Sequence, residues 1–243
     1  RQHNLIVIED ACHAIGGEYK VGNKWHKVGS CSHSDMAILS FHPVKSLTTA
    51  EGGAILTNCK DLYEKLSLLR THGITKDASR FQSPSPGDWY YEMHELGFNY
   101  HLSDMQAALG TSQLKKLNRF VKRRSQIATK YQKAFHGNPH FDIPVSLDDK
   151  TVKSGWHLYP IRLKDKARRR VIFDRLRQEG VGVQVHYIPL YWQPYYQRLG
   201  FSKGICPKAE DFYEREISLP MFPGMSEADV KQVIKIVLEV FKK

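Results

Sequence analysis

The sequence predicts an α/β protein built around a parallel sheet. Residues 5–8 (Leu-Ile-Val-Ile) form a continuous apolar run, which is typical of a parallel strand buried on both faces. Residues 37–41 and 53–56 are further short apolar runs that predict strands. Apolar residues at helical spacing follow over residues 62–69. This alternation of strands and helices favours a layered sheet with helices packed on its faces.

The second half of the chain predicts one long helix and then a smaller set of elements. Ser103 with Gln106 three positions later predicts a capping box, and the helical pattern continues with few breaks toward Phe135. Beyond Pro144 the predicted elements are strands at 158–163 and 181–187, a helix at 168–178, and a final helix capped by Ser226 with Asp229. We therefore expect a large domain at 1–118. A long connecting helix and a small C-terminal α/β domain should occupy 119–243.

Composition and charge limit the classes of function. A chain of 243 residues with 41% hydrophobic and 25% charged residues is an ordinary globular protein. It has no apolar run near the roughly 18–20 residues that cross a bilayer, so we expect no membrane partner. The net charge of +11 raises a nucleic-acid hypothesis. The basic runs at 115–124 and 168–170 lie on predicted helices without a nucleic-acid motif, so solvated helix faces are the favoured interpretation.

The cysteines indicate the redox compartment of the protein, and the first residues indicate where in the domain the chain begins. Cys12, Cys31, Cys59 and Cys206 are not paired at the spacing of a metal site, which predicts no metal and a reducing, cytoplasmic environment. Cys31 with His33 is a conceivable ligand pair, but two unrelated side chains fit better. The chain opens with Arg1 and enters a predicted strand almost at once. We therefore expect that an N-terminal part of the large domain is missing.

A lysine segment is the first candidate for chemistry. Residues 40–45 (Ser-Phe-His-Pro-Val-Lys) follow a predicted strand, and residues 48–53 (Thr-Thr-Ala-Glu-Gly-Gly) come next. A partly buried lysine has a lowered pKa and can form a Schiff base with a carbonyl. The hydroxyl of Ser40 could bind a phosphate. When this segment is considered alone, an ordinary surface lysine is the favoured interpretation of Lys45.

Asp10 strengthens the lysine hypothesis. It follows the first predicted strand, and a carboxylate at the C-terminal end of a parallel strand points into the crevice where α/β proteins bind ligands. Pyridoxal phosphate needs such a carboxylate beside its pyridine nitrogen, because the protonated ring withdraws electrons from the substrate. The alternative role for Asp10 is the N-cap of a helix.

The two segments together resemble a known family. Residues 10–14 (Asp-Ala-Cys-His-Ala) and 40–53 are similar to the DegT-type sugar aminotransferases, and the resemblance runs from Asn4 to the C-terminus. Further similar segments are Gly-Phe-Asn-Tyr at 97–100, Gln-Ala-Ala-Leu-Gly at 106–110, Val-His-Tyr-Ile-Pro at 185–189 and Ile-Ser-Leu-Pro at 217–220. The resemblance implies the aspartate aminotransferase fold (fold type I), with a three-layer α/β/α large domain and a small α/β domain.

The resemblance implies a role for five residues. Lys45 would hold pyridoxal phosphate as a Schiff base and move a proton between cofactor and substrate carbons. Asp10 would pair with the pyridine nitrogen, and His13 would contact or flank the ring hydroxyl. Ser40 would bind the phosphate. Asn99 would reach the cofactor phosphate of the neighbouring subunit, which implies a homodimer with shared active sites.

The substrate side rests on a narrower resemblance. Residues 157–160, 183–187 and 210–220 are similar to the subgroup that acts in the pseudaminic acid pathway. That subgroup implies transfer of an amino group from glutamate to carbon four of a UDP-linked 4-keto-6-deoxy-N-acetyl sugar. His186, Tyr187 and Tyr191 are then substrate candidates, with core aromatic positions as the alternative. His101 stands where relatives usually carry arginine, so a fixed positive charge becomes a titratable one.

Other functions remain open at this point. The same reaction on another nucleotide-linked keto-sugar is the nearest alternative. A sugar dehydratase is disfavoured, because in those relatives histidine replaces the Schiff-base lysine and Lys45 is intact. A catalytically inactive, truncated homologue is a further alternative. Relatives carry over a hundred residues before this point, which supply part of the phosphate site, the side chain stacked on the cofactor ring and part of the substrate pocket.

Overall fold

The computed structural model describes residues 3–144 and 150–242 of the chain. These residues form two compact units, Arg1–Leu117 and Asn118–Lys243, which are described separately. Both units mix helices and strands, as the sequence predicts.

The first unit contains a three-stranded sheet and a separate hairpin. Its first five strands are β1 (Ile8–Asp10), β2 (Glu18–Val21), β3 (Lys24–Lys27), β4 (Met36–Ser40) and β5 (Gly53–Leu56). The sheet has the order β1-β4-β5, with β1 parallel to β4 and β5 antiparallel to β4. β2 and β3 pair antiparallel, and Gly22 turns between them at a φ of +57°, which glycine adopts without strain.

The first apolar run is less regular and more exposed than predicted. β1 is parallel as expected, but it begins only at Ile8, and the side chains of residues 5–8 are 48–69% exposed. β1 is an edge strand of the described sheet and pairs with β4 alone. The expectation of burial on both faces is therefore wrong for the described part of the chain, in which these side chains remain largely exposed to solvent.

The remainder of the first unit carries two helices. These elements are α1 (Lys60–Arg70), β6 (Ile74–Thr75), a 3-10 turn (Ala78–Arg80), β7 (Glu92–Met93) and α2 (Asp104–Leu114). The predicted capping box at Ser103 and Gln106 is confirmed, with each side chain bonded to the other residue's backbone N–H. The carboxylate of Glu92 on β7 accepts the N–H groups of Gln82 and Ser83, which lie between β6 and β7, at 2.7 and 2.9 Å. Its hydrogen bond to His94 lowers the pKa of Glu92 to about 2.

The second unit is built on a three-stranded antiparallel sheet. The strands of this sheet are β8 (Phe141–Asp142), β10 (Tyr159–Leu163) and β11 (Glu216–Leu219), in the order β11-β10-β8. A further short strand, β9 (Val152–Lys153), lies outside this sheet. The helices of the unit are α3 (Leu117–Phe135), α4 (Arg169–Gln178), α5 (Pro194–Arg198), α6 (Pro207–Arg215) and α7 (Glu227–Lys242). Short 3-10 turns occur at Lys166–Arg168 and Leu190–Trp192.

Three sequence predictions for this half need correction. The single long helix is two helices, because α2 ends at Leu114 and α3 begins at Leu117. The strand predicted at 181–187 is irregular and makes one isolated bridge, between Gln184 and Ser218. Arg124 does not lie on a solvated helix face: it is 3% exposed, and its Nη1 donates to the carbonyls of Trp156, His157 and Met221.

The core of the second unit explains its helices. α3 buries residues at helical spacing, as an amphipathic helix packed on a sheet does. The rings of Tyr131 and Tyr159 meet at 5.0 Å between centroids, which joins α3 to β10. α7 begins at the predicted cap, where the Asp229 N–H is donated to Ser226 Oγ at 3.1 Å. Its buried side chains are Val230, Val233, Ile236, Val237, Val240 and Phe241.

Candidate active site

The carboxylate of Asp10 lies where β1 ends. The chain leaves β1 in turns rather than a helix, so the N-cap alternative is wrong. Asp10 Oδ1 accepts the backbone N–H of Cys12 at 3.1 Å. Hydrogen bonds from Cys12 lower the pKa of the Asp10 carboxyl, and the charges of His13 and Lys45 act in the same direction. The site therefore holds an ionised carboxylate whose charge interacts with that of Lys45.

Lys45 is held by the loop between β4 and β5. The Lys45 N–H is donated to the carbonyl of His42 at 3.0 Å, which forms a tight turn just after the strand. Lys45 is half-buried and is followed by the buried side chains of Ser46 and Leu47. Because β4 runs parallel to β1 in the sheet, the ends of both strands lie on the same side. The fold thus brings Asp10 and Lys45 into one place.

Hydrogen bonds inside the same loop fix the position of the lysine turn. The N–H of Thr49 and the hydroxyl of Thr48 both donate to the Phe41 carbonyl at 3.0 Å. Thr49 Oγ1 donates to the Glu51 carbonyl at 2.7 Å, and the Gln106 side-chain amide donates to that same carbonyl at 3.0 Å. The start of α2 therefore supports the loop that carries Lys45.

The glycine pair after the loop is required by close packing. A Cβ at Gly52, where φ is +148°, would lie 2.5 Å from Thr49 Oγ1. A Cβ at Gly53 would lie 2.7 Å from the Leu39 carbonyl oxygen. The contacts explain why glycines follow the lysine segment, because any side chain would push the loop away from β4.

Ser40 and His13 lie close in sequence to these two residues. Ser40 ends β4, and its Oγ accepts the N–H of His42 at 3.5 Å, so its own O–H can donate to a phosphate oxygen. His13 is exposed in the turns after β1, and its charge acts on Asp10. Both residues are therefore placed beside the Asp10 and Lys45 positions along the chain.

Asn99 and His101 lie on a second segment of the first unit. Asn99 is exposed and forms a backbone bridge with Thr71. A Cβ at Gly97 would lie 2.1 Å from the Gly73 backbone nitrogen, so this segment packs directly on the turn after α1. The His101 ring lies 5.6 Å from the His72 ring, centroid to centroid. A second imidazole therefore lies beside that of His101.

The remaining substrate candidates belong to the second unit. His186 is half-buried, and its ring meets that of Tyr187 edge-on at 4.6 Å across a cis peptide bond. Tyr187 is 61% exposed, so the core alternative is wrong for this residue. The Tyr191 hydroxyl donates to Glu210 Oε1 at 2.8 Å, and desolvation with this bond raises the pKa of Tyr191 to about 12.

The sequence analysis missed two residues beside His186. Ser218 Oγ lies 2.8 Å from His186 Nδ1, and Glu216 accepts the His186 backbone N–H at 2.8 Å. Both residues are on β11 and are almost fully buried, with 3% and 0% of their surface exposed. Glu216 and Ser218 are two positions apart, which places them on one face of a strand. That polar pair within an otherwise apolar strand was the available signal.

Residues 3–144 and 150–242 contain neither a cluster of metal-ligating side chains nor a helix that could span a membrane. No group of three or more His, Cys, Asp or Glu side chains in these ranges could hold a metal ion. No helix in the same part of the chain is long and apolar enough to cross a membrane. All four cysteines are free thiols.

The first unit therefore has the donor set of a pyridoxal phosphate site. A primary amine, an ionised carboxylate and a hydroxyl occupy the ends of two adjacent parallel strands. The amine suits the cofactor aldehyde, the carboxylate suits a protonated pyridine nitrogen and the hydroxyl suits the phosphate. These residues fit the group that the sequence implies.

Comparison with known proteins identifies related sequences. Residues 1–238 match the model of the DegT/DnrJ/EryC1/StrS aminotransferase family. The chain is 40% identical over 245 residues to the UDP-4-amino-4,6-dideoxy-N-acetyl-beta-L-altrosamine transaminase of Campylobacter jejuni, strain 81-176. That match covers 100% of this chain and 60% of the relative, so the chain spans less than two thirds of its length.

Solved structures give the same result. Helicobacter pylori PseC, an aminotransferase involved in the biosynthesis of pseudoaminic acid, matches with a TM-score of 0.87 and 35% identity, over 99% of this chain and 61% of that chain. The PLP-form of the sugar aminotransferase Spr1654 from Streptococcus pneumoniae, whose assignment is itself provisional, matches with a TM-score of 0.84 and 30% identity. That match covers 98% of this chain and 58% of that chain. The described fold is therefore that of pyridoxal-phosphate-dependent sugar aminotransferases.

Proposed function

Because the chain belongs to the DegT/DnrJ/EryC1/StrS aminotransferase family, we propose that the protein aminates a nucleotide-linked 4-keto-6-deoxy sugar. The proposed substrate is a UDP-linked N-acetyl sugar of pseudaminic acid biosynthesis, and the proposed amino donor is L-glutamate. The C. jejuni and H. pylori relatives support this substrate. The observation that carries the proposal is the placement of Asp10 at the end of β1 and of Lys45 in the loop directly after β4, its parallel neighbour in the sheet.

The cofactor of this family is pyridoxal phosphate, and it defines what the site residues must do. When bound, it supplies an electrophilic carbonyl and a ring that accepts electrons from the substrate. Lys45 Nζ would hold it covalently and would be the group that moves a proton at the reacting carbons. The Asp10 carboxylate keeps a proton on the pyridine nitrogen. The Ser40 hydroxyl donates to the phosphate, and His13 contacts or flanks the ring hydroxyl.

The direct test is amination by full-length protein. We expect isotope-labelled nitrogen from glutamate to appear on the UDP-linked 4-keto-6-deoxy-N-acetyl sugar, as measured by mass spectrometry of the product. The matched control is the corresponding dTDP-linked keto-sugar. Amination of the control alone would establish the same reaction on another nucleotide-linked sugar. Full cofactor loading without amination of either sugar would instead support an inactive homologue.

The assembly is proposed to be a cytoplasmic homodimer with shared sites. Asn99 lies exposed at the surface of its own unit, which is compatible with a contact to a neighbouring subunit. The four free thiols are compatible with a reducing compartment. His186, Tyr187, Tyr191 and His101 are proposed to contact the sugar substrate.

Subunit exchange tests the shared site. A mixture of Lys45→Ala and Asn99→Ala full-length subunits should regain activity, because each mixed dimer then has one site with both defects and one with neither. Recovery is measured as turnover after exchange has been verified by mass. The control mixture is wild type with the double variant, in which every mixed-dimer site has one defect. An inactive first mixture, while the wild-type homodimers and wild-type subunits keep the control mixture active, would show that Asn99 does not act across subunits.

A further inference from the structure

A chain of hydrogen bonds connects a buried carboxylate to the ring of His186. Ser218 Oγ is hydrogen-bonded to Glu216 Oε1 and lies 2.8 Å from His186 Nδ1. The second carboxylate oxygen, Glu216 Oε2, accepts the His186 backbone N–H at 2.8 Å. Both oxygens of one buried carboxylate are therefore used to hold a single residue, one through its backbone and one through its ring.

The fold makes this arrangement rigid. β11 is fully buried and pairs along one edge with β10, where Ser218 is opposite Pro160. Along its other edge, the Ser218 N–H donates to the Gln184 carbonyl at 2.8 Å. The segment that leads to His186 is thus attached to the same strand that carries Glu216 and Ser218. The ring is held from the backbone and from the side chain at once.

The charge on Glu216 decides the direction of the chain of bonds. An ionised carboxylate can only accept, so Ser218 must donate to Glu216 and must accept from His186. Burial raises the pKa of the Glu216 carboxyl above its ordinary value, and the bonds from Ser218 and the His186 backbone, with the charge of Arg169, only partly offset this effect. The geometry is that of an acceptor at both oxygens, because Oε1 faces the Ser218 hydroxyl and Oε2 faces the His186 N–H. A neutral acid at Glu216 would reverse the chain, since the acid would donate to Ser218 and Ser218 would donate to His186.

We propose that Glu216 and Ser218 are positioning residues that keep the proton of His186 on Nδ1. In that tautomer Nε2 is an acceptor, so any group that meets Nε2 must donate a hydrogen bond. A sugar hydroxyl or amide N–H meets this requirement, whereas a phosphate oxygen does not. The link to substrate rests on the proposed function, because it requires that His186 contacts the sugar. The tautomer of His186 does not depend on the proposed function.

The first test measures the tautomer without any substrate. Full-length protein carrying nitrogen-labelled histidine is studied by two-bond nitrogen–proton correlation spectra, and the His186 signals are assigned with the His186→Gln variant. Spectra are taken at a pH at which the ring is neutral, as its own nitrogen shifts show. We expect the pattern of a ring protonated on Nδ1. A neutral wild-type ring protonated on Nε2 overturns the proposal.

Two variants distinguish positioning from a purely structural role. Glu216→Gln keeps the shape of the side chain, but its amide can donate to Ser218 while its carbonyl accepts the His186 N–H, so we expect the ring to switch to the Nε2-protonated tautomer. An unchanged tautomer in a folded Glu216→Gln protein overturns the proposal. If that variant does not fold, Ser218→Ala replaces it, and a pure Nδ1 pattern there would also overturn it.

Kinetics then connect the tautomer to the substrate. Ser218→Ala should raise the KM for the keto-sugar by roughly tenfold, the scale of one lost hydrogen bond, with a smaller effect on kcat. The matched control is Ser202→Ala, an exposed serine of the same unit. If Ser218→Ala changes the tautomer but not the KM, the positioning role stands and the contact between His186 and the sugar is refuted. If the wild-type protein does not aminate the sugar at all, the proposed function is refuted. The tautomer seen in the spectra still tests the positioning role on its own.

Discussion

Lys45→Ala should reduce amination by full-length protein to the background rate. Alanine keeps the N–H that is donated to the His42 carbonyl, so the turn after β4 should survive and the fold should remain intact. What alanine removes is the only amine proposed to attach the cofactor and to carry the proton between the two reacting carbons. Turnover and circular dichroism, measured on the same preparation, test both halves of this expectation.

Chemical trapping identifies the lysine directly. Full-length wild type should be yellow, and borohydride should fix the cofactor on the peptide that contains Lys45. Lys45→Arg keeps a positive charge near Asp10 without an amine that can attach the cofactor, so it should be as inactive as Lys45→Ala. Lys65→Ala, an exposed position of α1, is the matched control and should retain normal activity. A trapped peptide without Lys45 contradicts the assignment.

Asp10→Asn should lose turnover by about a factor of 10³ or more, the scale of a deleted electrostatic interaction with a developing charge. The asparagine side chain can still accept the Cys12 N–H, so the local turn and the binding of the cofactor should persist. The negative charge matters most while the reaction proceeds, because a protonated pyridine nitrogen is then needed to accept electrons. The measurements are turnover and the absorbance of bound cofactor.

The neighbouring residue provides the control for Asp10. Glu9→Gln removes the same charge from the adjacent position of β1, whose side chain points to the opposite face of the strand, and should leave turnover nearly unchanged. Because its bonds to Cys12 lower the pKa of the Asp10 carboxyl, we expect no loss of activity from its protonation near neutral pH. Near-normal turnover of Asp10→Asn, or equal losses in both variants, would contradict the proposed role.

Local sequence patterns predicted the two helix caps and the last helix well, because their causes lie within a few residues. The capping box at Ser103 and the cap at Ser226 each need only side chains three positions apart, and both are present in the structure. The apolar periodicity of α7 likewise predicts which of its faces is buried. Strands were less predictable, since a strand needs a partner that is distant in sequence. Residues 181–187 have the composition of a strand but make only one bridge.

The basic runs show the same limit for charge. Arg124 belongs to a run of cations that, by composition alone, indicates a solvated face. In the folded chain its guanidinium is buried and donates to three carbonyls from two distant segments. A buried cation of this kind is stable only when such acceptors converge on it. Sequence spacing cannot show that convergence.

The sequence by itself determined the chemical groups of the candidate site: an amine at Lys45, a carboxylate at Asp10 and a hydroxyl at Ser40. It also determined the family, because these groups occur in ordered local motifs. Only the tertiary structure decided that β1 and β4 are parallel neighbours, so that the charges of Asp10 and Lys45 interact across 35 positions of chain. It alone placed Glu216 and Ser218 against His186. Motifs record local chemistry, whereas contacts between distant segments arise only when strands pair and the core excludes water.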